Sequence, residues 1–154
     1  MNTDEFRTTL QLMLVNELKM WRHRFCNQTM LVFDFGCFPW HGYLELSFLT
    51  NDEPQMNVLS RDPELTAEWR LYDFTSTFSS KWPQTTDLAN RMQKSYYSAP
   101  DRAEKAEAFF IASAMAVNSN EVLGVLSTYK RAADFEVRVF NPDDSSFKNY
   151  CKSI

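Results

Sequence analysis

Glycine is rare in this chain, with three among 154 residues, so a glycine-rich loop that cradles phosphate groups has little sequence to build it. No apolar run reaches the roughly 18 residues that a membrane-spanning helix needs. The first ten residues carry acids early and lack the apolar core of a secretion signal. We therefore expect a cytoplasmic protein that does not insert into a membrane.

Cysteine and histidine are also few. Cys26, Cys37 and Cys151 are odd in number and irregularly spaced, which indicates reduced thiols. His23 with Cys26, and Cys37 with His41, superficially have zinc-ligand spacing. A predicted strand of about seven residues would hold the two pairs roughly 20 Å apart, whereas zinc ligands converge to about 2 Å from one ion. We expect no metal and no cofactor.

Apolar residues are plentiful, at 44%, and aromatic residues make up 15%. This composition is typical of a folded globular protein. A chain of this length can bury a core of its own. The sequence predicts a single domain over residues 1–154.

The central stretch runs from Thr29 to Thr50 and reads as a β-hairpin. Apolar residues alternate with other types on both sides of a break rich in glycine and proline at residues 36–42. A period of two indicates strands, and the break suits a hairpin connection. The apolar positions are Leu31, Phe33 and Phe35, then Leu44, Leu46 and Phe48.

Helical periodicity and further alternation surround the hairpin. Helices are predicted over residues 4–25, 86–97, 101–117 and 121–131. Strands are predicted over residues 56–59, 68–75 and 135–140. For residues 68–75 a helix is the alternative. Together these elements predict an α+β fold. Its antiparallel sheet is built around the central hairpin and covered by the N-terminal helix and the helices of the C-terminal half.

Acidic residues are concentrated in the middle of the chain. Residues 34–68 carry seven acids and one arginine, whereas the segments before and after each have a net charge of +1. Such a block repels nucleic acid and attracts a basic protein partner. The alternative is a solvated face that only promotes solubility.

Two pairs of residues could carry chemistry. Cys37 and His41 share the hairpin loop, so a thiol nucleophile with an adjacent base is one possibility. Asp34 and Glu45 would lie across the strands on one face and could act as acid and base. The alternatives are a packed thiol beside a loop histidine and two solvent-facing carboxylates.

Aromatic side chains could form a ligand pocket, a patch that anchors a protein, or simply the core. The candidates are Phe38, Trp40, Tyr43, Trp69 and Tyr72. A ligand-binding regulatory domain is therefore a further alternative. Trp40, at the tip of the hairpin, is the position where anchor and core interpretations differ most.

The long first helix, the hairpin sequence PWHGYLELSFLTND (residues 39–52) and the run EWRLYDF (residues 68–74) resemble small bacterial immunity proteins, which neutralise polymorphic toxins. The resemblance implies an acidic, non-catalytic domain that covers the active site of a basic toxin or a surface beside it. The alternative function is a small hydrolase or a regulatory domain. The predicted partner-binding residues are Trp40, His41, Tyr43, Glu45, Asp52, Glu53, Asp62 and Glu64.

Overall fold

A computed structural model describes residues 1–53, 61–78 and 85–154 of the protein. The helices are α1 (Thr3–Trp21), α2 (Phe74–Phe78), α3 (Thr85–Tyr97), α4 (Arg102–Val117) and α5 (Asn120–Leu126). The strands are β1 (Met30–Phe38), β2 (Tyr43–Thr50) and β3 (Arg131–Arg138). Among the described residues, 3₁₀ helices span Pro63–Glu68 and Tyr150–Lys152. The strand predicted at residues 56–59 lies outside the described residues. The α+β class is confirmed.

The predicted hairpin is present as β1 and β2, which pair antiparallel. Phe33 lies opposite Phe48, and Gly36 lies opposite Glu45. Because neighbouring side chains alternate between the two faces, this register puts Phe33, Phe35, Leu44, Leu46 and Phe48 on one face. Leu31 does not join them, because the register shifts between Met30 and Val32. Leu31 packs in a second apolar cluster with Val32, Leu49, Trp69 and Tyr72.

The expectation of a purely antiparallel sheet is wrong, because β3 pairs parallel to β1 and the strand order is β2-β1-β3. The chain enters β3 beside the start of β1, where the Met30 amide donates to the Lys130 carbonyl at 2.8 Å. From that end the strand can only run in the direction of β1. The intervening helices form the crossover that a parallel pair requires.

The apolar face of the sheet packs against a layer of helices. Phe33, Phe35 and Leu46 are fully buried in one cluster with Phe109 and Phe110 of α4. α4 contacts β1, α3 contacts β2, and α1 packs on α3, α4 and α5. The helices therefore cover one face of the sheet, and the candidate functional site lies on the other face.

The predictions for α3 and α4 are the most accurate of the helix predictions. α3 and α4 match their predicted ranges to within a residue or two, and the Asp101 side chain accepts from the Glu104 amide at 3.0 Å as an N-cap. α1 ends at Trp21 rather than Phe25, although Phe25 still stacks on Trp21 at 5.5 Å. α5 ends at Leu126, earlier than predicted.

The strand predicted over residues 68–75 is wrong. Leu71 forms a single bridge to Phe48, and the chain then turns into α2. Asp73 has a φ of 39°, in the left-handed region, and its amide donates to the Ser47 hydroxyl oxygen at 2.9 Å. The side chains of this segment alternate because they pack against a face of the sheet, and not because the segment pairs as a strand within it.

Within the described residues, no single helix has the length and apolarity to cross a membrane. α4 and α5 have the required length and apolarity only when they are taken together, and the chain bends by 58° between them.

Candidate functional site: an acidic cleft

The face of the sheet opposite the helices carries a cleft of about 530 Å³. Its floor is formed by residues 34–38 of β1 and by Glu45 of β2. One wall is the 3₁₀ helix Pro63–Glu68 with Tyr72, and the other is the segment 140–147. We call this space the acidic cleft.

Four carboxylates line the acidic cleft. Asp34 and Glu45 lie in its floor, and the exposed Glu64 and Asp143 lie on its opposite walls. Among the described residues, no lysine, arginine or histidine lines it. A concave site with charges of one sign concentrates the field and favours a cationic ligand.

Aromatic rings complete the walls of the acidic cleft. Phe38, Tyr72, Phe140 and Phe147 all line it. The rings of Phe140 and Phe147 meet edge to face, with centroids 6.4 Å apart and planes at 85°. Phe147 has a φ of 48°, which is uncommon for a bulky residue and holds this ring at the wall.

Arg138 lies beneath the acidic cleft and joins its parts. Its side chain is 1% exposed, and its Nε donates to Asp34 Oδ2 at 2.6 Å. The other two nitrogens donate to the Arg61 carbonyl at 2.7 Å and to Thr66 Oγ1 at 2.8 Å. These bonds fix the 3₁₀ helix against the sheet, so Arg138 positions one wall of the cleft over its floor.

The guanidinium of Arg138 also contacts aromatic faces. It lies 4.7 Å from the ring centroid of Trp69 and 5.1 Å from that of Phe140. Burial raises the pKa of Asp34, and the charge of Arg138 partly offsets that rise. Two aromatic rings and a carboxylate thus satisfy a buried cation that would be costly without partners.

Glu45 lines the acidic cleft, and its carboxylate is partly buried. Its Oε1 accepts from the Tyr72 hydroxyl at 2.9 Å. Burial, together with the charges of Asp73 and Asp34, raises its pKa to about 7, although the Tyr72 hydrogen bond acts against the rise. Glu45 therefore changes charge near neutral pH.

Gly36 makes room for Glu45. A Cβ atom at Gly36 would lie 3.1 Å from Glu45 Cβ, 3.2 Å from Glu45 Oε2 and 2.9 Å from a Phe38 ring carbon. The absent side chain lets the carboxylate lie over the strand. Within the described part of the chain, Glu45 Oε2 has no hydrogen-bond partner, so this oxygen is available to a ligand.

Tyr43, one of the predicted partner-binding residues, lies beside this cluster. Its hydroxyl donates to Asp73 Oδ2 at 2.5 Å and lies 3.0 Å from Ser76 Oγ. The ring remains about one third exposed. Tyr43 therefore presents an aromatic surface next to Glu45 while its polar end is satisfied within the protein.

The hairpin loop is fixed to α3 and is not a free tip. The Trp40 carbonyl accepts from Gln93 Nε2 at 3.0 Å and from the Tyr97 hydroxyl at 3.1 Å. The Trp40 ring is half-buried and packs edge-on against Tyr96 and Phe110 at 6.3 Å. His41, by contrast, is exposed.

The predicted acidic binding residues divide into two groups. Asp52 pairs with Arg70 at 2.9 Å, and the buried Glu53 accepts from the Arg70 amide at 3.0 and 3.2 Å, so both stabilise the fold locally. Glu53, one of the predicted partner-binding residues, is thus buried and bonded within the protein. Asp62 and Glu64 are exposed at the 3₁₀ helix that forms a wall of the acidic cleft.

The structure does not join Cys37 to His41 by a hydrogen bond within the described residues. The Cys37 thiol faces the helices, 3.7 Å from Met92 Sδ, and burial raises its pKa to about 12. A thiol of that pKa is protonated at neutral pH and is a poor nucleophile. No group of three or more potential metal ligands is found among the described residues.

Four residues of the site were not among those predicted from the sequence: Arg138, Phe140, Asp143 and Phe147. They come from β3 and the segment after it, about 100 positions from β1 along the chain. The alternation of residues 135–140 placed a strand there but gave no pairing partner. Only the parallel register, with Asp34 opposite Arg138, brings these residues to the cleft.

A larger cavity, of about 780 Å³, lies where the N-terminus meets α3 and α4. Its lining mixes Arg91, Lys94 and Lys105 with Asp101 and Glu104. Opposite charges on one surface neutralise each other's field, and none of the titratable side chains that the structure describes in this lining is buried. The acidic cleft is therefore the stronger candidate.

No family model, curated protein or solved structure matches this chain. The acidic cleft itself is therefore the basis for a functional proposal.

Proposed function

We propose that this protein is a non-catalytic binding domain that inhibits a basic partner protein, most concretely as the immunity protein of a polymorphic toxin. The observation that carries the proposal is the acidic cleft, which four carboxylates line without a basic side chain among the described residues. Aromatic walls supply the apolar contact on which protein interfaces depend. Carboxylates at the rim supply attraction over longer distances.

The exposed acids around the acidic cleft are the ones suited to steering. Glu64 and Asp143 are exposed and line the cleft, and Asp62 is exposed two residues from Glu64. Asp52 does not line the cleft and pairs with Arg70 at 2.9 Å. We therefore expect the association rate to depend on Asp62, Glu64 and Asp143 far more than on Asp52 and Glu53.

We expect the gene directly upstream to encode the cognate toxin, and the experiment uses the product of that gene. Co-expression should protect cells from that toxin, and the purified proteins should associate. The triple variant Asp62→Asn/Glu64→Gln/Asp143→Asn should associate about tenfold more slowly at low salt, because steering is lost. The difference should nearly vanish at 1 M salt, where the Debye length falls to about 3 Å.

A matched control removes the same charge from the helical side: Asp87→Asn/Glu104→Gln/Glu121→Gln. These residues are exposed on α3, α4 and α5, away from the acidic cleft. The control should retain nearly the wild-type rate. Absence of protection and of binding would overturn the proposed function, and equal slowing by both triple variants would remove the cleft from the interface.

A second candidate function is proton transfer in the acidic cleft, favoured by the pKa of Glu45, which is suited to a general acid or base at neutral pH. Its obvious partner, Asp34, is already bound by Arg138. Under this hypothesis Glu45→Gln would abolish activity while partner binding persisted. That result would replace the inhibitor proposal with an enzyme.

A further inference from the structure

Building on the proposed function, we infer that the acidic cleft binds the guanidinium group of one arginine side chain from the partner, with Glu45 as its counter-ion. The cleft is large enough for a side chain, since about 530 Å³ lies within the range of ligand pockets in proteins. Its floor and walls offer the two kinds of contact that a guanidinium uses: carboxylate oxygens and aromatic faces.

Two carboxylate oxygens are available at the floor. Asp34 is 9% exposed, and its hydrogen bond to Arg138 uses Oδ2. The Glu45 bond to Tyr72 uses Oε1. Within the described ranges of the chain, no hydrogen bond reaches Asp34 Oδ1 or Glu45 Oε2. A planar group with several N–H donors can therefore satisfy oxygens that the protein itself leaves unpaired.

The aromatic walls favour arginine over lysine. Phe140 lines the cleft and has the Arg138 guanidinium 5.1 Å from its ring centroid, an example within this protein of the contact proposed here. Phe38 and Phe147 line the same space with half-buried rings. A delocalised, weakly hydrated guanidinium stacks on such faces, whereas a compact ammonium loses more hydration on entering.

Glu45 must be ionised to act as counter-ion. The titratable and charged groups around it are Asp34 on β1, Tyr43 on β2, Tyr72 and Asp73 before α2, Glu64 on the 3₁₀ helix, Asp143 on the opposite wall, and Arg138 behind Asp34. The acids disfavour ionisation of Glu45, and an incoming cation favours it. Binding should therefore strengthen as the pH rises from 6 to 8, with release of a proton from Glu45 at the lower end.

The test titrates N-acetyl-arginine amide into the ¹⁵N-labelled full chain and follows backbone amide signals. We expect saturable shifts at Gly36, Phe38 and Phe147. The neutral isostere N-acetyl-citrulline amide should bind at least tenfold more weakly, and so should N-acetyl-lysine amide. Equal binding of arginine and citrulline amides, tighter binding of the lysine amide, or shifts confined to other regions would overturn the inference.

Glu45→Gln should weaken arginine-amide binding at least tenfold and remove its pH dependence, while Glu121→Gln on α5 should change neither. The glutamine at position 45 can still accept the hydrogen bond from Tyr72, so this variant should fold. Glu64→Gln, at an exposed position, is a second variant, and it should weaken binding of the arginine amide severalfold. An unchanged affinity in both cleft variants would contradict the inference. If the protein protects cells from the toxin but does not bind the arginine amide, this inference is overturned and the proposed function stands. If the protein binds the arginine amide but does not protect cells, the proposed function is overturned and this inference stands.

Discussion

Glu45 shows how one residue couples the acidic cleft to pH. Its pKa is raised to about 7 in the folded chain, mainly by burial, so between about pH 4.5 and 7 the folded state holds a proton that the unfolded state has released. Protonation there favours folding, and this contribution to stability is lost as the pH rises through 7. At pH 8 Glu45 is ionised, and its charge lowers the free energy of unfolding.

We expect Glu45→Gln to raise the free energy of unfolding at pH 8 relative to wild type, because glutamine stays neutral and keeps the Tyr72 hydrogen bond. At pH 5 the two proteins should be nearly equally stable. Urea denaturation at both values of pH measures the difference. A variant less stable than wild type at pH 8 would show that ionised Glu45 stabilises the fold.

Arg138 and Asp34 form a buried ion pair whose two partners depend on each other. Arg138→Met should lower the free energy of unfolding by about 3–5 kcal/mol, because it leaves a buried carboxylate unpaired and frees Thr66. The double variant Asp34→Leu/Arg138→Met should recover a large part of that loss. Chemical denaturation of the two variants tests the coupling, and a double variant as unstable as the single one would contradict it.

At the scale of elements, the hairpin loop serves the fold. Trp40 packs on Tyr96 and Phe110, and its backbone is bonded to α3. Trp40→Ala should therefore lower the free energy of unfolding by about 2–3 kcal/mol, below the usual cost for a fully buried tryptophan because the ring is half-buried. Thermal denaturation, read beside partner binding of the folded variant, separates this role from that of an anchor.

His41→Ala is the matched control for Trp40→Ala, since the exposed neighbouring side chain should change stability by less than about 0.5 kcal/mol. An unchanged melting temperature in Trp40→Ala, with partner binding lost, would return Trp40 to the role of a free anchor.

The elements predicted correctly are those whose signals are local. Alternation predicts the hairpin, and helical periodicity predicts α4. The segment around Leu71 and Asp73 alternates as a strand would, yet its direction is set by the Ser47 bond and by a left-handed residue, neither of which the pattern contains. Local sequence cannot reveal which distant segment such a stretch meets.

The same reason limits what could be predicted of the site. Asp34 and Glu45 were placed on one face by alternation alone, and the structure confirms that face. The opposite wall, with Asp143 and Phe147, depends on β3 lying parallel to β1. Nothing in the periodicity of residues 135–140 distinguishes a parallel neighbour from an antiparallel one.

At the scale of the whole molecule, the acidic segment of the sequence is not one surface. Glu53 is buried away from the acidic cleft, and Asp52 is paired with Arg70, so the net charge of the segment overstates what a partner meets. Asp143, from outside that segment, joins Glu64 at the acidic cleft. The field that faces a partner is thus assembled from distant parts of the chain.

Long-range pairing also sets the order of folding. β1 and β2 are joined by a four-residue loop, whereas Asp34 and Arg138 are 104 residues apart in the sequence. Loop closure over that distance costs more entropy, so β3 should pair after the hairpin and helices have packed. Pulse-labelling hydrogen exchange during refolding should protect the amides of β2 before those of β3, and simultaneous protection would contradict this order.

For a growing chain on the ribosome, the parallel strand has a consequence of timing. Until β3 emerges, β1 is an open edge that can pair with another chain, and Asp34 has no counter-ion. One wall of the acidic cleft is also missing until Phe147 has been synthesised. Under the proposed function, inhibition of the partner is therefore expected to begin only after residue 147 has been translated.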